Sequence, residues 1–137
     1  MITGIGHLAI TASDFEKSIT FYRNTLGLPE AFRVDRDGSP WMAYFRTGAS
    51  DFIEIFDGKG ASADPAPEIG MKHICLWVDD IEQTLVDLQS RGLDVDPKGA
   101  KTGKSKCRQY FIADPDGIRI ELMQLMPDSL QAEALEE

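Results

Sequence analysis

Two stretches of this chain repeat one another. GIGHLAITASD begins at Gly4 and GMKHICLWVDD begins at Gly70. Each opens with Gly, carries His at its fourth position, runs on through apolar residues and closes on Asp. His7 and His73 are the only histidines in 137 residues. The likeness continues downstream, in HLAITASDFEKSITFYRNTLGL from His7 to Leu28 and HICLWVDDIEQTLVDLQSRGL from His73 to Leu93. A repeat of this length restricts the chain to folds that use one supersecondary unit twice. One half alone buries a sheet poorly, so the two must pack together or on other copies.

Each copy reads as a strand leading into a helix. Ser13 and Glu16 have the spacing of a capping box, and Asp79 and Glu82 form its acidic counterpart. Apolar residues then recur at helical spacing: Phe15, Ile19, Tyr22 and Leu26, and in the second copy Ile81, Leu85 and Leu88. Gly27 and Gly92 follow, where helices commonly stop. Strand patterns come next, near 30–36, 40–47 and 51–56, and again near 93–98, 107–113 and 118–124. RDGS at Arg36 and DPDG at Asp114 supply turns between them. Each half is therefore βαβββ. The expected fold is α+β: two tandem βαβββ modules with pseudo-twofold symmetry, forming a cup-shaped mixed sheet around a metal cleft. Residues 1–126 are expected to make one domain, with module 1 at about 4–57, a Gly-, Ala- and Pro-rich linker at 58–69, and module 2 at about 70–126. The acidic, Leu-spaced tail, 127–137, is expected to form a frayed terminal helix.

Strand alternation separates two faces. Leu8 and Ile10 share one face, with His7 opposite; Ile74, Leu76 and Val78 share one, with His73, Cys75 and Trp77 opposite. On the last strand of each half, Glu54 and Glu121 fall on the face away from the aliphatic residues. His7 precedes Glu54 by 47 residues and His73 precedes Glu121 by 48, so the pair recurs nearly in register. A carboxylate in mid-strand is costly unless paired or bound to a cation. Imidazole and carboxylate donors together suit a divalent ion such as Zn, Ni, Co, Mn or Fe. His7, Glu54, His73 and Glu121 are therefore the expected metal ligands. A lone strand His or Glu is ordinarily a satisfied or solvated residue; the repetition sets these four apart.

Composition narrows the partners. The formal net charge of −9 argues against a nucleic acid, whose phosphates need a basic footprint. No apolar run is long enough to span a bilayer and no signal sequence is evident at the N-terminus, so a cytoplasmic protein with no membrane partner is expected. Cys75 and Cys107 lie in strand-like runs and read as reduced thiols. GAKTGKS, from Gly99, imitates a phosphate loop but has too few residues between its glycines. Its lysines, Lys104 among them, form a solvated loop or else a clamp for an anionic substrate. Phe45, Phe56, Trp77 and Met123 are expected to line the cleft.

This pattern resembles the vicinal oxygen chelate superfamily, which includes glyoxalase I, methylmalonyl-CoA epimerase, extradiol dioxygenases, fosfomycin-resistance thiol transferases and bleomycin-binding proteins. The resemblance covers about residues 4–125 and rests on the two His-containing repeats and on YFIADPDGIRIEL. It places His7, Glu54, His73 and Glu121 on the four ligand positions of the glyoxalase I and epimerase branches. The dioxygenase and thiol-transferase branches use three ligands, and the bleomycin-binding branch lacks them. The resemblance thus implies a metal-dependent lyase or isomerase, abstracting a proton next to a carbonyl with a metal-stabilised enediolate on a small oxygen-rich substrate. Glu121 is the implied base, with Glu54 second. The alternatives are a three-ligand enzyme or a non-catalytic binding protein. Thr11 and Gly58 replace the Arg and Asn with which bacterial glyoxalase I contacts glutathione, so that cosubstrate is not implied. A homodimer is expected, with the modules paired within a chain or swapped between two.

Overall fold

A computed structural model describes residues 1–61 and 69–136. Most of the expected linker, 62–68, lies outside the described residues. The chain divides into two compact units whose boundary falls in that stretch.

The first unit runs β1 (His7–Ala12), α1 (Phe15–Thr20), a π-helical continuation (Phe21–Thr25), β2 (Glu30–Arg36), β3 (Ser39–Arg46) and β4 (Phe52–Asp57). Its sheet has the order β1-β4-β3-β2, with β1 parallel to β4 and the other pairs antiparallel. The second unit runs β5 (Ile74–Val78), α2 (Ile81–Ser90), β6 (Lys101–Thr102), β7 (Arg108–Ala113), β8 (Arg119–Gln124) and α3 (Leu130–Leu135). Its order is β5-β8-β7-β6, again with the first pair parallel. The fold is α+β, and the units share element order, strand order and strand direction.

The local reasons are visible in the sequence. Asp37 and Gly38 both take positive φ, 53° and 77°, the conformation that a two-residue hairpin between β2 and β3 demands. At DPDG, the Gly117 N–H donates to the Asp114 carbonyl at 2.9 Å. Buried Asp114 accepts from the Asp116 and Ile118 N–H groups, each at 2.9 Å. In each unit the helix packs on the aliphatic face. Phe15, Ile19 and Tyr22 are buried with Ala43, Phe45, Ile53 and Ile55 in the first. Ile81, Leu85 and Leu88 are buried with Ile74, Ile112, Ile120 and Leu122 in the second.

Several details depart from expectation. The caps are Asp14 and Asp80, one residue past Ser13 and Asp79; their carboxylates accept from Lys17 N at 3.1 Å and Gln83 N at 2.9 Å. The first helix widens at Phe21, where Leu26 N–H reaches back to the Phe21 carbonyl at 2.9 Å. The wider turn buries the neighbouring rings Phe21 and Tyr22 together. The strand expected near 93–98 does not form. Its polar groups are taken locally: Gln89 Nε2 donates to the Val95 carbonyl, Asp96 N–H to the Tyr110 hydroxyl, and Lys98 N–H to Asp96 Oδ1. Pro97 has no N–H for a ladder. The tail is also more ordered than expected. Ser129, fully buried, caps α3 by accepting from Ala132 N, and Gln131 reaches both Cys107 Sγ and Met123 Sδ. No helix among the described residues is long and apolar enough to cross a membrane.

Candidate functional site

Each unit holds one His–Glu pair on the sheet face opposite its main helix. Alternation buries Ile53 and Ile55 against α1 and turns Glu54 to the other side; Ile120 and Leu122 do the same for Glu121. Glu54 lies between Ala9 of β1 and Tyr44 of β3. Glu121 lies between Cys75 of β5 and Phe111 of β7. Each histidine stands two residues ahead of that β1 or β5 neighbour. His7 Nε2 is 3.2 Å from Glu54 Oε2, and His73 Nε2 is 2.9 Å from Glu121 Oε2. The glutamates are 5% and 6% exposed, whereas the histidine side chains are 47% and 32% exposed. Each pair is thus a buried carboxylate reached from solvent through a half-open imidazole.

The donor chemistry fits a divalent ion. Two donors bound at about 2.0–2.2 Å to one ion sit roughly 3 Å apart, the separation both pairs already have. The same separation serves an imidazole–carboxylate hydrogen bond. Among the described residues no group of three or more His, Cys, Asp or Glu is gathered to hold a metal; each unit brings two donors.

Sequence reasoning missed Tyr44. Its hydroxyl donates to Glu54 Oε2. That bond, burial and the Glu54 charge raise the phenol above its ordinary range. The ring packs edge-on to His7, stacks on Phe32 with centroids 4.5 Å apart, and meets Phe52 edge-on. Alternation along WMAYFR offered a signal, since Tyr44 and Phe45 necessarily point to opposite faces. Phe45 is fully buried on the helix side, 6.2 Å from Tyr22, and does not line the His–Glu face.

Phe56 shares the Glu54 face and lies 5.9 Å from Trp41. Trp77 is 57% exposed beside Met123 on the Glu121 face. Met123 is buried, with Gln131 donating to its sulfur at 3.8 Å. Lys104 is exposed in the loop from β6 to β7. Arg119, two residues before Glu121, lies 4.6 Å over the Phe111 ring. Cys75 is exposed on the same face; partial desolvation of its sulfur and then the Glu121 charge push the thiol up to about 11. It is protonated at neutral pH and is neither a ready ligand nor a ready nucleophile.

Thr11 and Gly58 pack on one another. A Cβ at Gly58 would lie 2.7 Å from both Thr11 Cγ2 and the Ala12 carbonyl oxygen. Gly58 N–H donates to that same carbonyl at 2.8 Å. A longer side chain at 58 therefore needs the backbone to move.

Residues 4–122 match the family model of the Glyoxalase/Bleomycin resistance protein/Dioxygenase superfamily. An uncharacterized protein of Bacillus subtilis, YwkD, is 32% identical over 135 residues, covering 90% of this chain and 98% of its own length. The probable lactoylglutathione lyase of a Synechocystis species is 29% identical over 124 residues, covering 86% and 92%. Among solved structures, TnmS3, an antibiotic binding protein from a Streptomyces species, is similar with a TM-score of 0.72 at 26% identity, covering 91% and 98%.

Proposed function

The chain belongs to the Glyoxalase/Bleomycin resistance protein/Dioxygenase superfamily, and from that premise we propose that it is a metal-dependent lyase or isomerase of the glyoxalase I-like type. One observation carries this reading: the same His–Glu pair stands at matching positions in both units, each His at or just before the start of the first strand and each Glu in the last. His7, Glu54, His73 and Glu121 supply the donors for a divalent ion, of Zn, Ni, Co, Mn or Fe type. Two neutral imidazoles and two carboxylates leave such a site near electroneutrality, the balance suited to an ion that must also attract substrate oxygens. When bound, the ion supplies Lewis-acid stabilisation of negative charge on the substrate oxygens.

The chain's own groups do the proton work. Glu121 takes a proton from the carbon next to the substrate carbonyl and returns it to a neighbouring atom. His73 Nε2, 2.9 Å from Glu121 Oε2, is placed to share the ion with that carboxylate. Glu54 is the second candidate for the base. Phe56, Trp77 and Met123 line the substrate's path, and Lys104 meets an anionic end. The unit works as a domain of residues 1–126, in the cytoplasm, and as a homodimer. The mutual packing of Thr11 and Gly58 supports a substrate other than a glutathione adduct held at those two positions.

The test is turnover of hemithioacetals and 2-oxo thioesters by the metal-loaded protein. Turnover that falls at least 100-fold in Glu121→Gln supports the reading. A second reading, a non-catalytic binding protein, is favoured by the likeness to TnmS3. Tight binding of an aromatic small molecule, with no metal and no turnover, would select it.

A further inference from the structure

The two His–Glu pairs are built alike but held differently. Across the strand from each glutamate stands an aromatic ring: Tyr44 opposite Glu54 and Phe111 opposite Glu121. Each ring lies edge-on to the histidine of its own pair, with centroids 5.6 Å apart for His7–Tyr44 and 5.2 Å for His73–Phe111. Position and packing are shared, and one oxygen atom separates them. The Tyr44 hydroxyl donates to Glu54 Oε2, so that oxygen is engaged by both His7 and Tyr44. Phe111 offers no hydroxyl, and Glu121 Oε2 meets the imidazole of His73.

Tyr44 is also braced. Its ring is stacked on Phe32, with planes 19° apart, and packs against Phe52 and His7. A ring held on three sides keeps its hydroxyl in one place. The bond it makes is charge-assisted, the stronger class of hydrogen bond. Phe111 carries Arg119 over its face instead, which places a cation nearby and no donor on the carboxylate through the ring.

We propose that Tyr44 is a positioning residue that fixes Glu54 as the stationary carboxylate, and that its replacement by Phe111 in the second unit leaves Glu121 as the carboxylate able to turn. The inference rests on the metal-dependent reading above and assigns different jobs to two glutamates that the repeat makes look equivalent. Partners that orient a ligand from behind typically matter about 10- to 100-fold in metal affinity.

The test is titration of the full-length, metal-stripped protein with Co²⁺, followed by calorimetry and by the visible d–d absorption of the bound ion. Tyr44→Phe keeps the ring and its packing and removes only the hydroxyl. It is expected to bind Co²⁺ about 10- to 100-fold more weakly, with a shifted band, because Glu54 is no longer fixed. Phe111→Tyr gives Glu121 the same brace and is expected to bind at least as tightly as the wild type. On a hemithioacetal that the wild type turns over, Phe111→Tyr is expected to lower kcat with little change in KM. Tyr44→Phe binding within twofold of the wild type with an unshifted band, while Glu54→Ala loses the ion, would overturn the role of Tyr44 and leave the metal site standing. Failure of the wild type to bind Co²⁺ at all would overturn the metal-dependent reading, and this inference with it.

Discussion

Glu54 and Glu121 sit in strands whose opposite face carries isoleucine and leucine, and they remain only 5% and 6% exposed. Such carboxylates persist only with partners, and here a histidine meets each within hydrogen-bond range. Single residues near them behave according to face. Phe45→Ala, on the helix side, should cost about 3–5 kcal/mol in denaturant unfolding while leaving metal content unchanged. Cys75, on the glutamate side, has its thiol raised to about 11. At a given pH it therefore carries less thiolate than an ordinary cysteine. Its alkylation by iodoacetamide should be slow at pH 8 and climb until about pH 11; a rate levelling off near pH 8.5 would contradict the assignment. The pair of neighbours Tyr44 and Phe45 shows where the sequence was legible and where it was not. The repeat singled out both glutamates without any structure. Which of two adjacent aromatic residues faces Glu54 depends on the register between β3 and β4, and a one-residue slip inverts every face.

At the scale of elements, turns and strand order follow closely from the chemistry of a few residues. Asp37-Gly38, Gly117, Gly27 and Gly92 all take the positive φ that their places in the pattern imply. Helix starts were legible to within one residue, because TASD and WVDD each offer two candidate caps in a row. Asp80→Ala should destabilise the protein by about 1 kcal/mol, and Asp79→Ala by less, in matched denaturant titrations. The missing strand near 93–98 was not legible, since its backbone groups are satisfied by Gln89 and Tyr110, distant in pattern if near in space. The helix in the tail was legible from its leucine spacing; its anchorage was not. Its order comes from docking, with Leu130 N–H donating to the Ser105 carbonyl at 2.9 Å and Gln131 reaching Cys107. Removing residues 127–137 should therefore unmask Cys107, which is fully buried in the intact chain. Ellman's reagent at pH 8 should then modify Cys107, identified by peptide mass mapping, whereas the intact chain protects it; protection that persists in the truncated chain would contradict this docking.

Taken as a molecule, the chain uses one βαβββ unit twice and keeps one His–Glu pair in each copy. The superfamily holds lyases, isomerases and binding proteins on this fold, so fold alone does not choose among them. The choice rests on whether the four donors act on one ion. Metal analysis by mass spectrometry, on protein purified without a chelating tag, addresses that directly, with His7→Ala, His73→Ala and Glu54→Ala alongside. The account predicts close to one divalent ion per chain in the wild type, lost in either histidine variant and diminished in Glu54→Ala. Metal-free wild-type protein that takes up no divalent ion on addition, or an ion retained when either histidine is removed, would contradict it.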